Sequence, residues 1–354
     1  MEAYLNIIAT AVPDHDVHDK FVTYAPQLLK ENYNRVLFKK MAERSQIEHR
    51  YSFLKPSPDP EVLDTEDFYP VGAFPDTATR MRFFQQHAFT LAIRALDKLQ
   101  LKNRKEDITH IIVTTCTGFY APGLDLQIID HYNLNPAIER TVVGFMGCYA
   151  AMNALKLARH IVRSAAGAQV LILNLELCTL HLKEADDLEK ILSFLIFSDG
   201  CSASLVTTEP TGLELQSFHA LIIPDSSDQI TWDIGVLGFD MMLSGKIPKT
   251  ITKNLPGSMS AILDGRKMED IRHWAIHPGG RTILDAVQKG AALPPDSLNI
   301  SRDVLRRFGN MSSATVMFVL HDMMLNDVPA GLGCAMAFGP GLTIESMIFQ
   351  KTGH

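Results

Sequence analysis

Cys148 is the residue of this chain best placed to act as a nucleophile. It follows Gly147 and precedes a run of strong helix formers from Ala150 to Ala158, so its thiol is expected at a helix N-terminus. A free thiol has a pKa near ~8.5 and needs roughly 3 kcal/mol to become mostly thiolate at neutral pH. A helix N-terminus supplies about 0.3–1 kcal/mol. The sequence therefore predicts a cationic partner, for which histidine is the simplest choice.

Repeats along the chain nominate that partner and a third group. EDITH at 106–110 recurs as EDIRH at 269–273, and GCSAS at 200–204 recurs as GCAMA at 333–337. Asn310 follows Cys148 by 162 residues, close to the 163-residue interval of the first repeat. His277 ends the apolar run of the second repeat, before Pro-Gly-Gly, where it would point into a turn. An imidazole N–H and an amide NH2 together would stabilise an oxyanion.

Apolar strands and helices must position these residues. Short β-branched runs predict buried strands at 107–118, 169–177 and 198–209, and apolar residues at a spacing of three to four predict a helix at 87–102. After residue 269 the order strand, glycine turn and helix returns, and 331–349 supplies the last strands.

The repeated order predicts an internally duplicated α/β protein. We expect a layered sandwich with sheets rich in parallel strands, and two halves at 1–215 and 216–354 that pack as one body. If a pseudo-twofold axis relates the halves, the helix N-termini that carry Cys148 and Asn310 face each other. The chemistry is expected between them.

Composition excludes several other classes of protein. The 354 residues carry a net charge of −7 and no block of lysine or arginine, which argues against nucleic acid or an anionic membrane as the main partner. No apolar stretch approaches ~20 residues, so no membrane insertion is expected. The N-terminus lacks a basic segment before an apolar one. The five cysteines include no C-x-x-C pair, which is typical of a reduced cytoplasmic protein.

Four segments resemble the type III polyketide synthases, the chalcone and stilbene synthase-like enzymes. They are GCYAAMNALKLA with Cys148, IHPGGRTILD with His277, FGNMSSATV with Asn310, and FGPGLTIE at 338–345. The likeness runs over essentially the whole chain, and HPGG together with GNMSSA separates this family from its relatives. The resemblance implies the thiolase fold, an internally duplicated αβαβα five-layer sandwich, and a homodimer.

The resemblance also implies a mechanism. Cys148 takes an acyl group from a starter acyl-CoA as a thioester, and malonyl-CoA loses CO2 beside His277 and Asn310, which hold the enolate oxygen. The carbanion then attacks the thioester, and repeated extension ends in cyclisation. Coenzyme A thioesters are the substrates. No further cofactor is expected, and no metal is needed.

Other positions of the family's site carry over one by one. Phe197 and Phe239 correspond to gatekeeper phenylalanines, whose apolar rings would withhold solvation from the malonyl carboxylate. Lys40 and Arg44 match part of a basic helix that meets the coenzyme A phosphates and lie on one face as an i, i+4 pair. Leu37 stands where a third basic residue is expected. The phosphate contact is then either incomplete or uses Arg35.

The cavity positions depart from plant chalcone synthases. Cys116 stands in place of threonine, as in some bacterial members, and Ala121 replaces a methionine that crosses to the partner subunit. Cys178 and His181 replace threonines, whereas Ser312 keeps the family's serine. These changes favour an aliphatic or simple aromatic starter giving a resorcinol, phloroglucinol or pyrone, and Cys116 is more simply a cavity wall than a second reactive thiol. The expected substrate contacts are Cys116, Thr117, Ala121, Cys178, His181 and Ser312.

Three other functions compete with this interpretation. A β-ketoacyl carrier-protein synthase III has the same fold and the same cysteine, histidine and asparagine, but performs one condensation and needs a basic docking patch. A cysteine hydrolase of thioesters or amides would need a bound water and no malonyl decarboxylation. A silent thiolase-fold subunit would not need the intact set of three residues.

Overall fold

The computed structural model describes residues 1–325 and 328–353. No described helix combines the length and apolar character needed to cross a membrane. The helices are α1 (His18–Tyr24), α2 (Asn32–Ser45), α3 (Thr77–Lys98), α4 (Leu124–Tyr132), α5 (Ala150–Ser164), α6 (Leu188–Ile196), α7 (Ile247–Ile262), α8 (Arg281–Gly290), α9 (Asn299–Phe308) and α10 (Thr315–Leu325). The strands are β1 (Tyr4–Ala11), β2 (His15–Asp16), β3 (Tyr51–Ser52), β4 (His110–Thr115), β5 (Glu139–Gly144), β6 (Val170–Leu177), β7 (Asp199–Thr207), β8 (Leu213–Ile222), β9 (Ile230–Gly235), β10 (Gly238–Leu243), β11 (Ile271–Ile276), β12 (Gly331–Gly339) and β13 (Thr343–Lys351).

The predicted strands and helix are present with shifted boundaries. The apolar runs at 107–118, 169–177 and 198–209 form β4, β6 and β7. The helix predicted at 87–102 begins ten residues earlier, at Thr77. Asp76 is its N-cap and accepts a hydrogen bond from the Thr79 N–H at 2.8 Å, which gives the additional turns a stable start.

Nine strands form one sheet in the order β11-β12-β13-β8-β1-β7-β6-β4-β5. From its centre, β8-β13-β12-β11 repeats the pairing of β1-β7-β6-β4, with two antiparallel pairs followed by a parallel pair. Of the nine described strands of this sheet, β5 alone lacks a counterpart in the other half. This repeat confirms the predicted internal duplication. The predicted border at 215/216 lies inside β8, and the division into 1–215 and 216–354 stays a prediction.

The expectation of parallel-rich sheets is wrong. Of the eight strand pairings in the described sheet, three are parallel and five are antiparallel. In each half the final strand runs antiparallel to its neighbour: β7 to β6 in the first half, and β13 to β12 in the second. The halves also meet through an antiparallel pair, β1 and β8. A repeat in sequence order therefore does not reveal the direction of each strand.

Helices α5 and α10 form the central layer of the sandwich. Helix α10 is apolar and buried on nearly all sides, as expected for a helix enclosed between two sheet faces. Its residues share one core with α5 and with the inner faces of both halves of the sheet. A second core lies under α3 and a third under α7 and α8. These layers are the predicted αβαβα arrangement.

The two central helices begin at turns that face each other. The 3₁₀ turn Gly147–Tyr149 precedes α5, and the 3₁₀ turn Ser312–Ala314 precedes α10. Cys148 Sγ lies 3.8 Å from Ser312 Oγ, which confirms the predicted approach. The helices begin 165 residues apart, so the positional equivalent of Cys148 is Ser313 and the predicted equivalence with Asn310 is off by three residues.

Candidate active site

Cys148 lies in a turn with a fixed backbone. Glycine is required at 147 because φ there is +69° and a Cβ would lie 2.3 Å from Cδ of Pro340. The Gly147 N–H donates to Cys116 Sγ at 3.1 Å. These contacts hold the segment that carries the thiol, and the Cys148 side chain remains only half-buried.

Asn310 is held through both its backbone and its side chain. The backbone N–H donates to the Ile196 carbonyl at 2.7 Å, and the backbone carbonyl accepts from the Ser198 N–H at 2.9 Å. Oδ1 accepts from the Ser312 N–H at 2.8 Å and from the Thr315 hydroxyl at 3.3 Å. Because the oxygen is engaged on this side, the NH2 group, which only donates, is the end left for a bound molecule.

His277 follows β11 and is 1% exposed. Its backbone N–H donates to the Met336 carbonyl at 2.8 Å, which ties this turn to the neighbouring strand. Neither ring nitrogen has a hydrogen-bond partner within the described part of the chain. Burial lowers the pKa of the imidazole to about 3, so the ring is neutral and offers one N–H to a bound molecule.

One cavity of about 540 Å³ brings these three residues together. Cys148, His277 and Asn310 all line it, although Cys148 and the other two belong to different halves of the repeat. Most of the remaining wall is apolar, so charges that develop inside are poorly screened. The larger apolar side chains of this wall are Leu37, Met41, Leu192, Phe194, Leu195, Ile196, Phe197, Ile230, Trp232, Met241, Leu243, Ile247, Ile283 and Phe338.

The thiol and the imidazole are both held in their neutral forms. Burial raises the pKa of Cys148 to about 12, although hydrogen bonding with Ser312 and Asn310 acts in the opposite direction. No hydrogen bond joins Cys148 to His277 among the residues described. Each charge alone is costly in this environment, so a thiolate requires an imidazolium formed by transfer of its proton. The predicted cationic role of His277 stays a prediction.

Two family models match almost the whole chain. The N-terminal domain of the chalcone and stilbene synthases matches residues 2–210, and the C-terminal domain of the same enzymes matches residues 214–352. The chain belongs to the chalcone and stilbene synthase family. It is a type III polyketide synthase, a transferase that extends acyl groups by decarboxylative condensation of coenzyme A thioesters.

Relatives of this synthase come from distant organisms. Alpha-pyrone synthesis polyketide synthase-like Pks18 of Mycobacterium tuberculosis is 35% identical over 287 residues, which cover 77% of this chain and 72% of that protein. The crystal structure of PKS-I from the brown alga Ectocarpus siliculosus is 28% identical, covers 99% of this chain and 98% of its own, and has a TM-score of 0.87. The C-terminal type III domain of Steely1 from Dictyostelium has a TM-score of 0.90 over 100% of both chains at 24% identity, which shows the shared fold.

Six of the predicted binding residues line the cavity of the synthase. Five of them were predicted to contact the acyl substrate, and the sixth, Arg44, was predicted to contact coenzyme A. Their roles stay predictions, but the fold brings all six residues together on the wall of one cavity. The first five are Cys116, Thr117, Cys178, Phe197 and Ser312.

Four other predicted residues do not reach this lining. Lys40 is exposed on the surface of the described chain. Ala121 is exposed as well, and its predicted contact with the partner subunit stays a prediction. His181 and Phe239 are buried behind the wall, at 0% and 1% exposure. The sequence can indicate that a residue lies near the cavity. Whether its side chain faces the cavity or lies behind the wall depends on packing.

His181 supports the wall from behind. Its Nε2 lies 2.7 Å from the Thr117 carbonyl, and its Nδ1 accepts from the Phe239 N–H at 3.1 Å. The Nδ1 acceptor role leaves Nε2 as the protonated nitrogen, and burial lowers the pKa of the ring to about 3. The ring stacks on Phe239 at 4.4 Å between centroids. Trp232 stands in front, lines the cavity, and donates from Nε1 to the Cys116 carbonyl at 2.7 Å.

Met241 lines the cavity, whereas Phe239 on the same strand does not, and the predicted role of Phe239 stays a prediction. Both residues lie on β10, where residues two apart share a face. Met241 and Leu243 line the cavity, whereas Phe239 lies deeper against His181. The period of two identifies this face of the strand, but the depth of each side chain follows from neighbouring elements.

Glu176 is a buried carboxyl that the sequence analysis missed. Its Oε2 accepts from the Cys116 N–H at 2.9 Å and from the Thr117 hydroxyl at 2.8 Å. Its Oε1 accepts from the Ser313 hydroxyl at 2.6 Å, so it joins the turn before α10 to Cys116, whose Sγ accepts from the Gly147 N–H. Burial raises its pKa to about 7. A single acidic residue inside the apolar run LILNLEL was the signal that could have found it.

Arg50 fixes the backbone behind Phe197. The arginine is 2% exposed, and its Nη1 donates to the Phe194 and Phe197 carbonyls at 2.8 Å each. Its Nε donates to His18 Nδ1 at 3.1 Å. Phe197 in turn forms an isolated parallel bridge with Asn310. One buried guanidinium therefore supports the segment on which both cavity residues depend.

Glu176→Gln should change how stability depends on pH. The folded protein keeps a proton on Glu176 between about pH 4.5 and 7, where the unfolded chain has released it, so the wild type loses stability as pH rises through this window. The free energy of unfolding that the wild type loses across this window because of Glu176 is roughly 3 kcal/mol. Glutamine cannot titrate, yet it can accept from Cys116 and donate to Ser313. Unfolding of both proteins at pH 5 and pH 7 should show the variant gaining stability relative to the wild type at the higher pH.

Other titrating groups cancel in this comparison. Asp199, whose pKa burial also raises to about 7, and His277 are present in both proteins. Glu106→Gln is the matched control, because Glu106 is exposed, forms no ion pair with another described residue and should leave the pH profile unchanged. Parallel stability profiles for the wild type and Glu176→Gln would contradict the assignment.

Proposed function

We propose that Cys148, His277 and Asn310 perform the condensation of this synthase, with Cys148 as the acyl carrier and the other two as oxyanion donors. The observation that carries this proposal is the single apolar cavity that all three line, with the Asn310 amide oriented by what its oxygen accepts. The two donors are neutral, so they can hold an enolate oxygen without a competing proton transfer to it.

Loading of the starter begins with proton transfer. The Cys148 thiol gives its proton to His277, and the thiolate attacks the carbonyl carbon of the starter thioester. The carbon–sulfur bond to coenzyme A breaks, and the departing thiolate takes the proton from His277. Because burial lowers the pKa of His277 and raises that of Cys148, the charged pair exists only during this step. The acyl-enzyme that remains is neutral.

Extension uses the same donors for a different oxygen. The bond between the malonyl methylene carbon and its carboxylate breaks, CO2 leaves, and the electron pair forms an enolate whose oxygen accepts from His277 and Asn310. The enolate carbon attacks the thioester on Cys148, a carbon–carbon bond forms, and the departing Cys148 thiolate takes up one proton from solvent, which restores the thiol. Phe197 on the cavity wall gives the malonyl carboxylate no hydrogen bond. This destabilises the charged carboxylate and favours its departure as neutral CO2.

The cavity wall supports an aliphatic starter. The side chains beyond the reacting groups are largely aliphatic or thioether, and charged side chains on the described lining are limited to Arg44, Glu189 and Arg281. A wall of this kind gains from burying methylene groups, at about 0.8 kcal/mol each. The name of the mycobacterial relative refers to α-pyrone synthesis, and we propose a pyrone as the product class here as well.

A panel of starters with labelled malonyl-CoA tests this function. Aliphatic acyl-CoA starters of increasing length should give products with more than one extension, and lactone-ring products should be visible by mass spectrometry. A single extension that requires a carrier protein would select the synthase III mechanism. Hydrolysis of the starter without extension would select a hydrolase, and either outcome would overturn the proposal.

Variants of the three residues should separate loading from decarboxylation. Cys148→Ala should abolish acyl-enzyme formation, measured by intact mass, yet retain CO2 release from malonyl-CoA because both oxyanion donors remain. Asn310→Ala should lose about 10²–10³-fold in CO2 release. Cys334→Ala and Asn254→Ala, which alter the same residue types outside the lining, are the matched controls. The roles are wrong if CO2 release vanishes with Cys148 but survives loss of both donors.

We also propose a homodimer that uses the edge strand β5. In the described sheet β5 pairs only with β4, and its Val142 is 52% exposed. Phe119 and Leu126 add exposed apolar surface. Light scattering should give twice the 39.3 kDa chain mass, and Val142→Lys should lower it towards one chain. Ile222→Lys, at a position 69% exposed on β8, is the control. A monomer at micromolar concentration contradicts the proposal.

Two further expectations stay predictions. The halves at 1–215 and 216–354 separate the acyl-carrying cysteine from the two oxyanion donors. A cytoplasmic location agrees with five cysteines that form no disulfide in the structure.

A further inference from the structure

Charge on the cavity lining is confined to three side chains. Arg44 comes from α2, Arg281 from the start of α8, and Glu189 from α6. The interior has neutral donors and apolar walls, so a substrate group with negative charge finds cations only where the two arginines lie. Within the described residues Glu189 forms no ion pair with either arginine.

The basic helix α2 presents less charge to the cavity than its sequence predicts. Lys40 is exposed away from the lining, and Leu37 on the same helix contributes an apolar side chain to it. Arg35 is engaged elsewhere, because its Nε donates to the Leu29 carbonyl at 2.6 Å. Of the basic residues on α2, Arg44 alone therefore reaches the described lining.

Arg281 lies directly beside Arg44 although it comes from another element. Its Nη1 donates to the Arg44 carbonyl at 3.0 Å, which brings the start of α8 to the end of α2. Its Nε lies 3.7 Å from Asp285, but that carboxylate is shared with Arg302 at 2.7 Å. The side chain is 39% exposed. A guanidinium has five N–H donors, so most of its fork remains free.

We propose that Arg281 and Arg44 form a two-sided clamp for the phosphates of the coenzyme A thioester, with Arg281 supplying the charge that Leu37 does not. The inference rests on the proposed function, because it assumes that coenzyme A thioesters enter this cavity. Guanidinium forks match phosphate oxygens in a bidentate geometry, and two forks on facing elements can hold a phosphate group from both sides.

The clamp is tied to the reacting end of the cavity by one short segment. His277 and Arg281 are separated by Pro-Gly-Gly, and four residues of chain reach at most about 14 Å between Cα atoms. The same loop therefore positions an oxyanion donor and a phosphate ligand. An extended coenzyme A thioester would be held at both ends, with its phosphates at the clamp and its carbonyl between Cys148, His277 and Asn310.

Kinetics with malonyl-CoA and malonyl-pantetheine, which lacks the phosphates, test the clamp. Arg281→Gln should raise the KM for malonyl-CoA on the order of tenfold or more, with kcat little changed, since charged hydrogen bonds to phosphate are lost. The KM for malonyl-pantetheine should stay within about twofold, because a lost hydrogen bond cannot matter to a substrate that never made it. Arg281→Lys should fall between, because it keeps the charge but loses the fork.

Arg104→Gln is the matched control, because Arg104 is exposed, lies outside the lining of this cavity and does not contact Arg281 or its partner Asp285. It should leave both KM values unchanged, and thermal unfolding should show that every variant is folded. Equal increases for both thioesters in Arg281→Gln would mean a structural role, and no increase for either would also overturn the clamp. If the wild type released CO2 from neither thioester, the proposed function itself would fail.

Discussion

The contact between the turns that open α5 and α10 is the interaction on which the site depends. Cys148 Sγ and Ser312 Oγ are 3.8 Å apart because both helices lie in one central layer, enclosed by the inner faces of the two halves of the sheet. Glu176 joins the turn before α10 to Cys116 from behind, through the Ser313 hydroxyl and the Cys116 N–H. A displacement of either helix would separate the acyl carrier from the oxyanion donors, so the packing of the apolar core is also the alignment of the chemistry.

Burial gives the site its reactivity and also costs stability. Dry surroundings strengthen the hydrogen bonds from His277 and Asn310 to an enolate, since little water screens them. The same surroundings hold Cys148 and His277 neutral and keep a proton on Glu176 near neutral pH. These polar groups would be better solvated in water, so keeping them buried in the site costs folding free energy. The large cores under α3 and under α7 and α8 offset this cost.

The sequence predicts the parts of this protein that depend on local signals. The strands β4, β6 and β7 follow from short β-branched runs, and Cys148, His277 and Asn310 from their junctions with helices, turns and repeats. It fails where a property depends on what packs behind a residue. Phe239 and His181 were expected in the cavity, but they stack on each other behind Trp232, and Met241 reaches the wall instead. Strand direction failed for a related reason, because a chain reversal leaves no mark within the strand itself.

Divergence of the two halves explains why one fold unit, used twice, gives an asymmetric site. The first copy carries the thiol and keeps an edge strand, β5, that has no counterpart in the described second copy. In the second copy β11 is the edge of the sheet, α7 and α8 pack on the face of this half, and α8 begins at Arg281, on the cavity lining. The proposed partner contact at β5 therefore belongs to the first copy, and the proposed phosphate clamp uses a residue of the second copy. The turns that carry the sulfur and the amide are fixed by the shared core, whereas the imidazole is held by β11 and β12 at the end of the sheet, so the site depends on both regions staying in register.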